Sequence, residues 1–343
     1  MMDRSRIIYF DNLRIIATFG VILLHSAAPI LYKFGSVTNV TWWTGNVYDS
    51  FMRWCVPIFF MISGALLLKP AKVEKPSIFV KKRVSKVIIP FIAWSIFYLV
   101  VQINDEMIEN DPFLILKAFL EGKIYYHLWF LYVIIALYLI LPVLRVYFAT
   151  ATRRNIEYYL ILCLIVTSGF SLIAKFYEIK IDINVEAATG YIGYFLLGYY
   201  LHNYELPKFA RWIIYLLAAI AMFVIIRGTY FLTLENEGIL DGYFYHYLNM
   251  PAVITSMAVF LIFKYITFDL CKFSVFALIN RASLGIYLVH PYIFLLLLEN
   301  YDIHGHTVRA WAGIPLLSAF TLVVSLIIVL ILQKIPLIKK IVP

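Results

Sequence analysis

Two ionisable residues, Arg14 and His25, share one face of the first apolar segment of the chain. They are eleven residues apart, and eleven helical steps of about 100° amount to roughly three turns. The helical rise places His25 about 16 Å further into the apolar segment than Arg14. The spacing therefore predicts a deep histidine that is aligned with an arginine near the start of the segment.

The depth of His25 limits the chemistry that it can perform. A charged side chain there costs about 2.5 kcal/mol or more, so His25 should be neutral much of the time and face the protein interior or a wet cavity. A neutral imidazole can take a proton from a hydroxyl, which makes His25 a candidate general base for acyl transfer. The alternative is a histidine that only forms a packing hydrogen bond between helices.

A basic cluster lies at residues 69–86, where seven of eighteen residues are Lys or Arg. Arg83 and Lys86, three positions apart, are predicted to lie on one helical face near the level of Arg14. Such cations can bind the phosphates of a nucleotide or coenzyme through charge-assisted hydrogen bonds. The alternative explanation is enrichment of positive charge on the cytoplasmic side and attraction to anionic membrane lipids. It is favoured for the loop lysines and stays open for Arg83.

Four further residues are candidates for substrate binding. Arg53 lies at the mouth of the second apolar segment, where it either lines an outer cavity or extends to the membrane interface. His127 and Trp129 begin the fourth segment, although aromatic residues gather at membrane interfaces anyway. His290 lies inside the ninth segment, and Pro291 frees backbone groups that a cavity or a neighbouring helix must satisfy.

The composition indicates the elements that must position these residues. Of the 343 residues, 63% are hydrophobic and 14% are charged, and the mean hydropathy is +0.86; a soluble domain is about half apolar and a quarter charged. The chain is therefore predicted to be an all-α polytopic membrane protein, and residues 1–343 to form a single membrane domain with no separate soluble domain. About ten transmembrane helices are predicted, near 10–31, 51–68, 85–103, 126–148, 157–174, 188–204, 211–231, 247–267, 282–298 and 311–332.

The positive charges alternate across these segments. The net charge is +9, and 21 of the 29 Lys and Arg residues lie in the N-terminal segment and every second loop after it. This bias predicts that both termini and the loop at 69–82 are cytoplasmic and that the loop at 105–121 is outside. Because topology accounts for the charge, no nucleic-acid partner is predicted.

Metal and disulfide chemistry are not indicated. Cys55, Cys163 and Cys271 lie in or beside apolar runs at no metal-binding spacing. The loop residues His304 and His306 supply two ligands at most. No metal site is therefore predicted.

Five motifs resemble those of a known family. FDNLRIIATFGVILLH resembles the first helix of the large family of bacterial membrane acyltransferases that O-acetylate surface polysaccharides. VPIFFMISGALLL, FVKKRVSKVIIP, YYHLWFLY and SLGIYLVHP resemble its later motifs in the same order, over essentially the whole chain. Within the family, the stand-alone type that acetylates enterobacterial common antigen is the most similar, through YYHLWF and the RGT that begins at Arg227.

The resemblance implies an acyl-CoA-dependent O-acetyltransferase in the bacterial cytoplasmic membrane. Its donor would be acetyl-CoA, and its acceptor a lipid-linked or surface glycan. His25 and Arg14 match the family's histidine and arginine motif, Arg83 matches its second basic motif, and Arg53 matches an arginine ahead of VPIFF. The chain has Ile15 where the family usually has Gly after the first arginine, and it has Arg83 and Lys86 where the family's second basic motif often pairs two arginines.

The alternative function is a transporter or flippase of a lipid-linked sugar, since intramembrane Arg and His also mark substrate pathways. The sequence favours the enzyme for two reasons. The ionisable residues of the first segment extend from the cytoplasmic face towards one central histidine, and the sequence shows no duplicated broken helices. Hydrolysis of acetyl-CoA by the purified protein would separate the two functions.

Overall fold

The computed structural model describes residues 6–68, 75–181 and 186–343, and this part of the chain contains thirteen α-helices and no strand. The first six are α1 (Ile8–Leu31), α2 (Asn39–Met52), α3 (Cys55–Leu67), α4 (Pro76–Asn104), α5 (Pro112–Leu120) and α6 (Trp129–Thr150). The other seven are α7 (Arg153–Leu164), α8 (Phe170–Tyr177), α9 (Glu186–Asn203), α10 (Lys208–Glu235), α11 (Met250–Tyr265), α12 (Ser274–Tyr301) and α13 (Ala310–Leu332). A π-helical turn, Ile165–Gly169, joins α7 to α8.

Within the described ranges, nine helical stretches are long and apolar enough to cross a membrane. The α2–α3 pair and the α7–α8 pair each count as one stretch. The protein is thus an all-helical polytopic membrane protein, as the composition predicts. The orientation of the two termini and of the loop at 69–82 stays a prediction, and residues 69–74 of that loop lie outside the described residues.

The sixth predicted segment, 188–204, corresponds to α9, which is helical but not among the nine apolar stretches. Phe195, Leu196 and Leu201 on this helix are fully buried. Because α9 packs against other helices over much of its surface, it needs less apolar composition than a helix surrounded by lipid. Its backbone departs from helical geometry at Gly190, where φ is −40° and ψ is −120°.

Close packing between α3 and α9 depends on two glycines. A Cβ atom added to Gly64 would overlap the carbonyl of Phe195, and one added to Gly198 would overlap the carbonyl of Met61. Small residues at such contacts let two helix backbones approach each other closely. This contact fixes α3, one face of which borders the cavities described below.

Two of the differences from the predicted element boundaries concern helices beside the cavities described below. The second segment is preceded by α2, whose polar residues Asn46, Asp49 and Ser50 are fully buried; these polar residues lower the hydropathy on which the prediction rested. The third predicted segment corresponds to α4, which begins at Pro76 rather than near residue 85. Proline suits the first turn of a helix. Arg83 therefore lies within α4.

Helix α1 occupies the centre of the bundle and packs against α2, α3, α11, α12 and α13. Its polar residues consequently face other helices rather than lipid.

Candidate active site

His25 on α1 and His290 on α12 form a hydrogen-bonded pair. Nδ1 of His25 lies 2.8 Å from Nε2 of His290, and the rings are stacked at 11° with their centroids 5.1 Å apart. His290 is fully buried, and its Nδ1 lies 3.2 Å from the carbonyl oxygen of Ile286.

These contacts assign the protons of two neutral rings. A carbonyl oxygen only accepts, so Nδ1 of His290 donates to Ile286 and Nε2 of His290 carries a lone pair. Nδ1 of His25 then donates to that lone pair, which leaves Nε2 of His25 unprotonated. The pair thus gives His25 the form that a general base requires.

A central cavity of about 120 Å³ lies beside His25. Three other predicted residues, Arg14, His127 and Trp129, also line it. Most of the remaining wall is apolar and aromatic, and a few polar groups in such a wall are typical of a small-molecule site. The volume suits the reacting groups of two substrates rather than two whole substrates.

A second cavity of about 270 Å³, the inner cavity, lies towards the start of α1, adjoins the central one and brings Arg14 and Arg83 together. The two cavities share Arg14 and the side chains of Phe59, Phe130 and Leu284. Arg14 donates to Asn280 at 3.0 Å, whereas Nε of Arg83 is buried with no partner among the described residues. An unpaired guanidinium N–H beside a second cation fits an anionic group such as a phosphate.

Lys86 does not join this pair. Its side chain is exposed on α4, and it lines neither cavity. Three helical residues rotate by about 300°, so the two side chains diverge by about 60°, and Arg83 points inward while Lys86 points outward.

A third cavity of about 490 Å³, the outer cavity, lies at the end of α1 near Leu31. It adjoins the central cavity through Trp129 and Tyr247. Arg53 lines this cavity. The sequence left open whether its side chain lines a cavity or extends to the membrane interface. Nε of Arg53 donates to the buried carboxylate of Asp49 at 2.5 Å, and the guanidinium lies 4.0 Å from the ring centroid of Tyr245. Inner, central and outer cavities therefore adjoin in series, with cationic side chains on both sides of His25.

Comparison with known proteins defines the class of the protein. A family model described as an acyltransferase domain matches residues 7–330. The chain belongs to this acyltransferase family. No curated protein and no solved structure matches it. The family confirms a membrane acyltransferase, whereas the enterobacterial common antigen type and the bacterial origin stay predictions.

His127 of the acyltransferase is buried in the wall of the central cavity. It is 1% exposed, and within the described part of the chain neither of its ring nitrogens has a hydrogen-bond partner. The hydroxyl of Tyr287 donates to the backbone carbonyl of His127. The backbone, rather than the imidazole nitrogens, thus anchors this residue.

A polar network at the start of α1 supports Arg14 in the acyltransferase. Arg6 donates to both carboxylate oxygens of Asp269, at 3.0 and 2.7 Å, and to Asp11 at 2.5 Å. Asp11 accepts in turn from Arg14 at 3.3 Å. The Arg6 guanidinium lowers the pKa of Asp269, which lies in the loop before α12. The network holds the loop and the Arg14 side chain in place together.

Three residues at this site were missed by sequence reasoning. The contact of Asp49 could have been predicted from the sequence, because Asp49 precedes Arg53 by four residues and side chains at this spacing meet on a helix. The contacts of Asn280 and Tyr247 could not have been predicted, since each residue reaches the site only through tertiary packing. Among the described residues, no three His, Cys, Asp or Glu side chains cluster as metal ligands.

Proposed function

We propose that this acyltransferase moves an acetyl group from cytoplasmic acetyl-CoA to a hydroxyl of a lipid-linked or cell-surface sugar in the bacterial cytoplasmic membrane. The observation that carries the proposal is the His25–His290 pair, which leaves a lone pair on Nε2 of His25, and His25 lines the central cavity between two larger ones. Family membership supplies the transfer of an acyl group.

In the proposed reaction, His25 is the general base. Its Nε2 takes the proton of the acceptor hydroxyl as the hydroxyl oxygen forms a bond to the thioester carbonyl carbon. The carbon–sulfur bond then breaks, and the proton passes from His25 to the departing thiolate. The products are the acetyl ester and the free thiol of CoA.

The donor is proposed to bind from the inner cavity. Arg14 and Arg83 line this cavity, and the unpaired Nε of Arg83 supports direct contact with a phosphate of CoA. Lys86, which is exposed, is assigned only to the electrostatic attraction of the anionic donor.

The acceptor is proposed to approach from the outer cavity, past Arg53 and Trp129. A hydroxyl that reaches the central cavity from this side meets His25 opposite the donor. His290, considered from the sequence as a substrate-binding residue, is proposed instead to orient His25, because it is fully buried and bonded to that ring.

The test of the base is His25→Ala in the purified protein, with release of CoA from acetyl-CoA and transfer of labelled acetyl in membranes as readouts. Both rates should fall by about 100-fold or more, the usual contribution of a general base. His304→Ala is the matched control, since His304 lies in a loop and pairs with Asp302. A folded His25→Ala protein with undiminished activity would contradict the proposal.

The direction of transfer can be tested with the native acceptor in membrane vesicles. Labelled acetyl-CoA cannot cross the membrane, so inverted vesicles should incorporate label into glycan and right-side-out vesicles should not. Equal labelling of both preparations, or labelling of right-side-out vesicles alone, would rule out a cytoplasmic donor site.

A further inference from the structure

His127 has an imidazole that the protein itself does not use for hydrogen bonding. A neutral imidazole always has one N–H donor and one lone pair. Both ring nitrogens of His127 are buried, and neither has a partner in the described ranges of the chain. Leaving a buried donor unpaired reduces stability, and such groups are uncommon in folded proteins.

The fold holds this imidazole in place without using its nitrogens. The Tyr287 hydroxyl donates to the backbone carbonyl of His127. The rings of Tyr98 and Tyr287 pack edge-on against the imidazole, with centroids 4.9 and 5.3 Å away. The ring is thus fixed by packing, and both of its nitrogens stay without a hydrogen-bond partner among the described residues.

His127 lies close to the proposed general base. It lines the same central cavity as His25, and its ring centroid lies 6.0 Å from that of His290. His25 has a partner that sets its proton, whereas His127 has none. The two histidines therefore differ in environment: His290 sets the tautomer of His25, whereas no hydrogen bond among the described residues sets that of His127.

We propose that His127 is a further catalytic residue, which donates its N–H to the carbonyl oxygen of the thioester. This inference rests on the proposed acyl transfer. As the hydroxyl oxygen bonds to the carbonyl carbon, the carbon–oxygen π electrons move onto the carbonyl oxygen, and the His127 N–H stabilises the negative charge. When the carbon–sulfur bond breaks, the carbonyl re-forms, and His127 has kept its proton throughout.

The test uses His127→Phe and His127→Gln in the full-length protein. Phenylalanine keeps the ring packing and the backbone contact with Tyr287 but removes the donor, whereas glutamine supplies an N–H. Two reactions are followed: release of CoA when water is the acceptor, and transfer of labelled acetyl to the native acceptor in membranes. The KM for acetyl-CoA and the melting temperature are measured beside them.

His127→Phe should lower kcat for both reactions by the same factor, about 100- to 1,000-fold, because the oxyanion forms whichever hydroxyl attacks. The KM for acetyl-CoA should change less than about threefold, and the melting temperature should stay level or rise, since a buried unpaired polar group is removed. His127→Gln should recover part of the lost rate.

Other results overturn the inference. Loss of transfer with intact CoA release would make His127 a binding residue for the acceptor, and a lower melting temperature with unchanged rates would make it structural. If His25→Ala is inactive while His127→Phe is fully active, only this inference fails. If the unaltered protein neither releases CoA nor transfers acetyl, the proposed function fails as well.

Discussion

Replacing His290 with phenylalanine tests whether the histidine pair works as a unit. The change keeps an aromatic ring in α12 but removes the acceptor for Nδ1–H of His25, now bonded at 2.8 Å. His25 is then free to carry its proton on Nε2, the position that should accept one. The pair thus predicts a loss of activity from a change at His290, which is fully buried.

The size of this loss follows from the broken contact. A buried donor left without its partner costs about 1–3 kcal/mol, and 1.36 kcal/mol corresponds to a tenfold change in rate. For comparison, loss of the group that orients a metal-ligating histidine costs about 10- to 100-fold in metal affinity or activity. We therefore expect His290→Phe to reduce CoA release by about 10- to 100-fold, and His290→Gln, which offers an acceptor oxygen, to restore part of it.

The decisive measurement is a double-mutant cycle with His25→Ala. If His290 acts only through His25, adding His290→Phe to His25→Ala should cause no further loss of rate. A full and independent loss in the double variant would show that His290 acts elsewhere. Unchanged activity of His290→Phe alone would refute the orienting role.

Three further predictions address the donor site, the packing and the topology. Arg83→Gln should weaken acetyl-CoA binding measured by titration, while Lys86→Gln, on the exposed face of α4, should change it much less; equal effects would place the phosphates elsewhere. Gly64→Ala should lower the free energy of unfolding by about 1–3 kcal/mol, because the α3 and α9 backbones must separate. Gly242→Ala is the control and should have almost no effect, since the space around the added atom is open. A cysteine at Lys75 in a cysteine-free background should react only from the cytoplasmic side, and labelling from outside would reverse the topology.

The first helix was predictable because its signal is local. Helical periodicity alone aligns Arg14 with His25, and the structure places both on the central cavity. The contact between His25 and His290 was not predictable, since these residues are 265 positions apart and meet only when α1 packs against α12. The sequence could single out each histidine but could not pair them.

The missed helix before the second predicted segment has a physical cause. Hydropathy reports how well a segment tolerates lipid, whereas α2 is in large part surrounded by protein. Buried polar residues such as Asn46 and Asp49 lowered the apolar signal of α2, although each has a hydrogen-bond partner inside the bundle. A sequence pattern therefore predicts an apolar helix such as α1, even at the centre of the bundle, but misses a helix such as α2 whose buried face is polar.

The dimensions of the cavities bear on how the proposed transfer is confined. The central cavity, about 120 Å³, is smaller than the inner and outer ones, about 270 and 490 Å³. A coenzyme and a sugar thus cannot both enter it whole, and only a thioester and a hydroxyl can meet at His25. For the proposed transfer, such confinement would keep the bulk of each substrate in the cavities lined by Arg83 and Arg53, and the apolar wall would exclude bulk water from the reacting carbonyl. Water is the competing acceptor in the proposed reaction. Phe130→Ala, which would widen the cavity wall, should therefore increase the rate of CoA release relative to the rate of acetyl transfer.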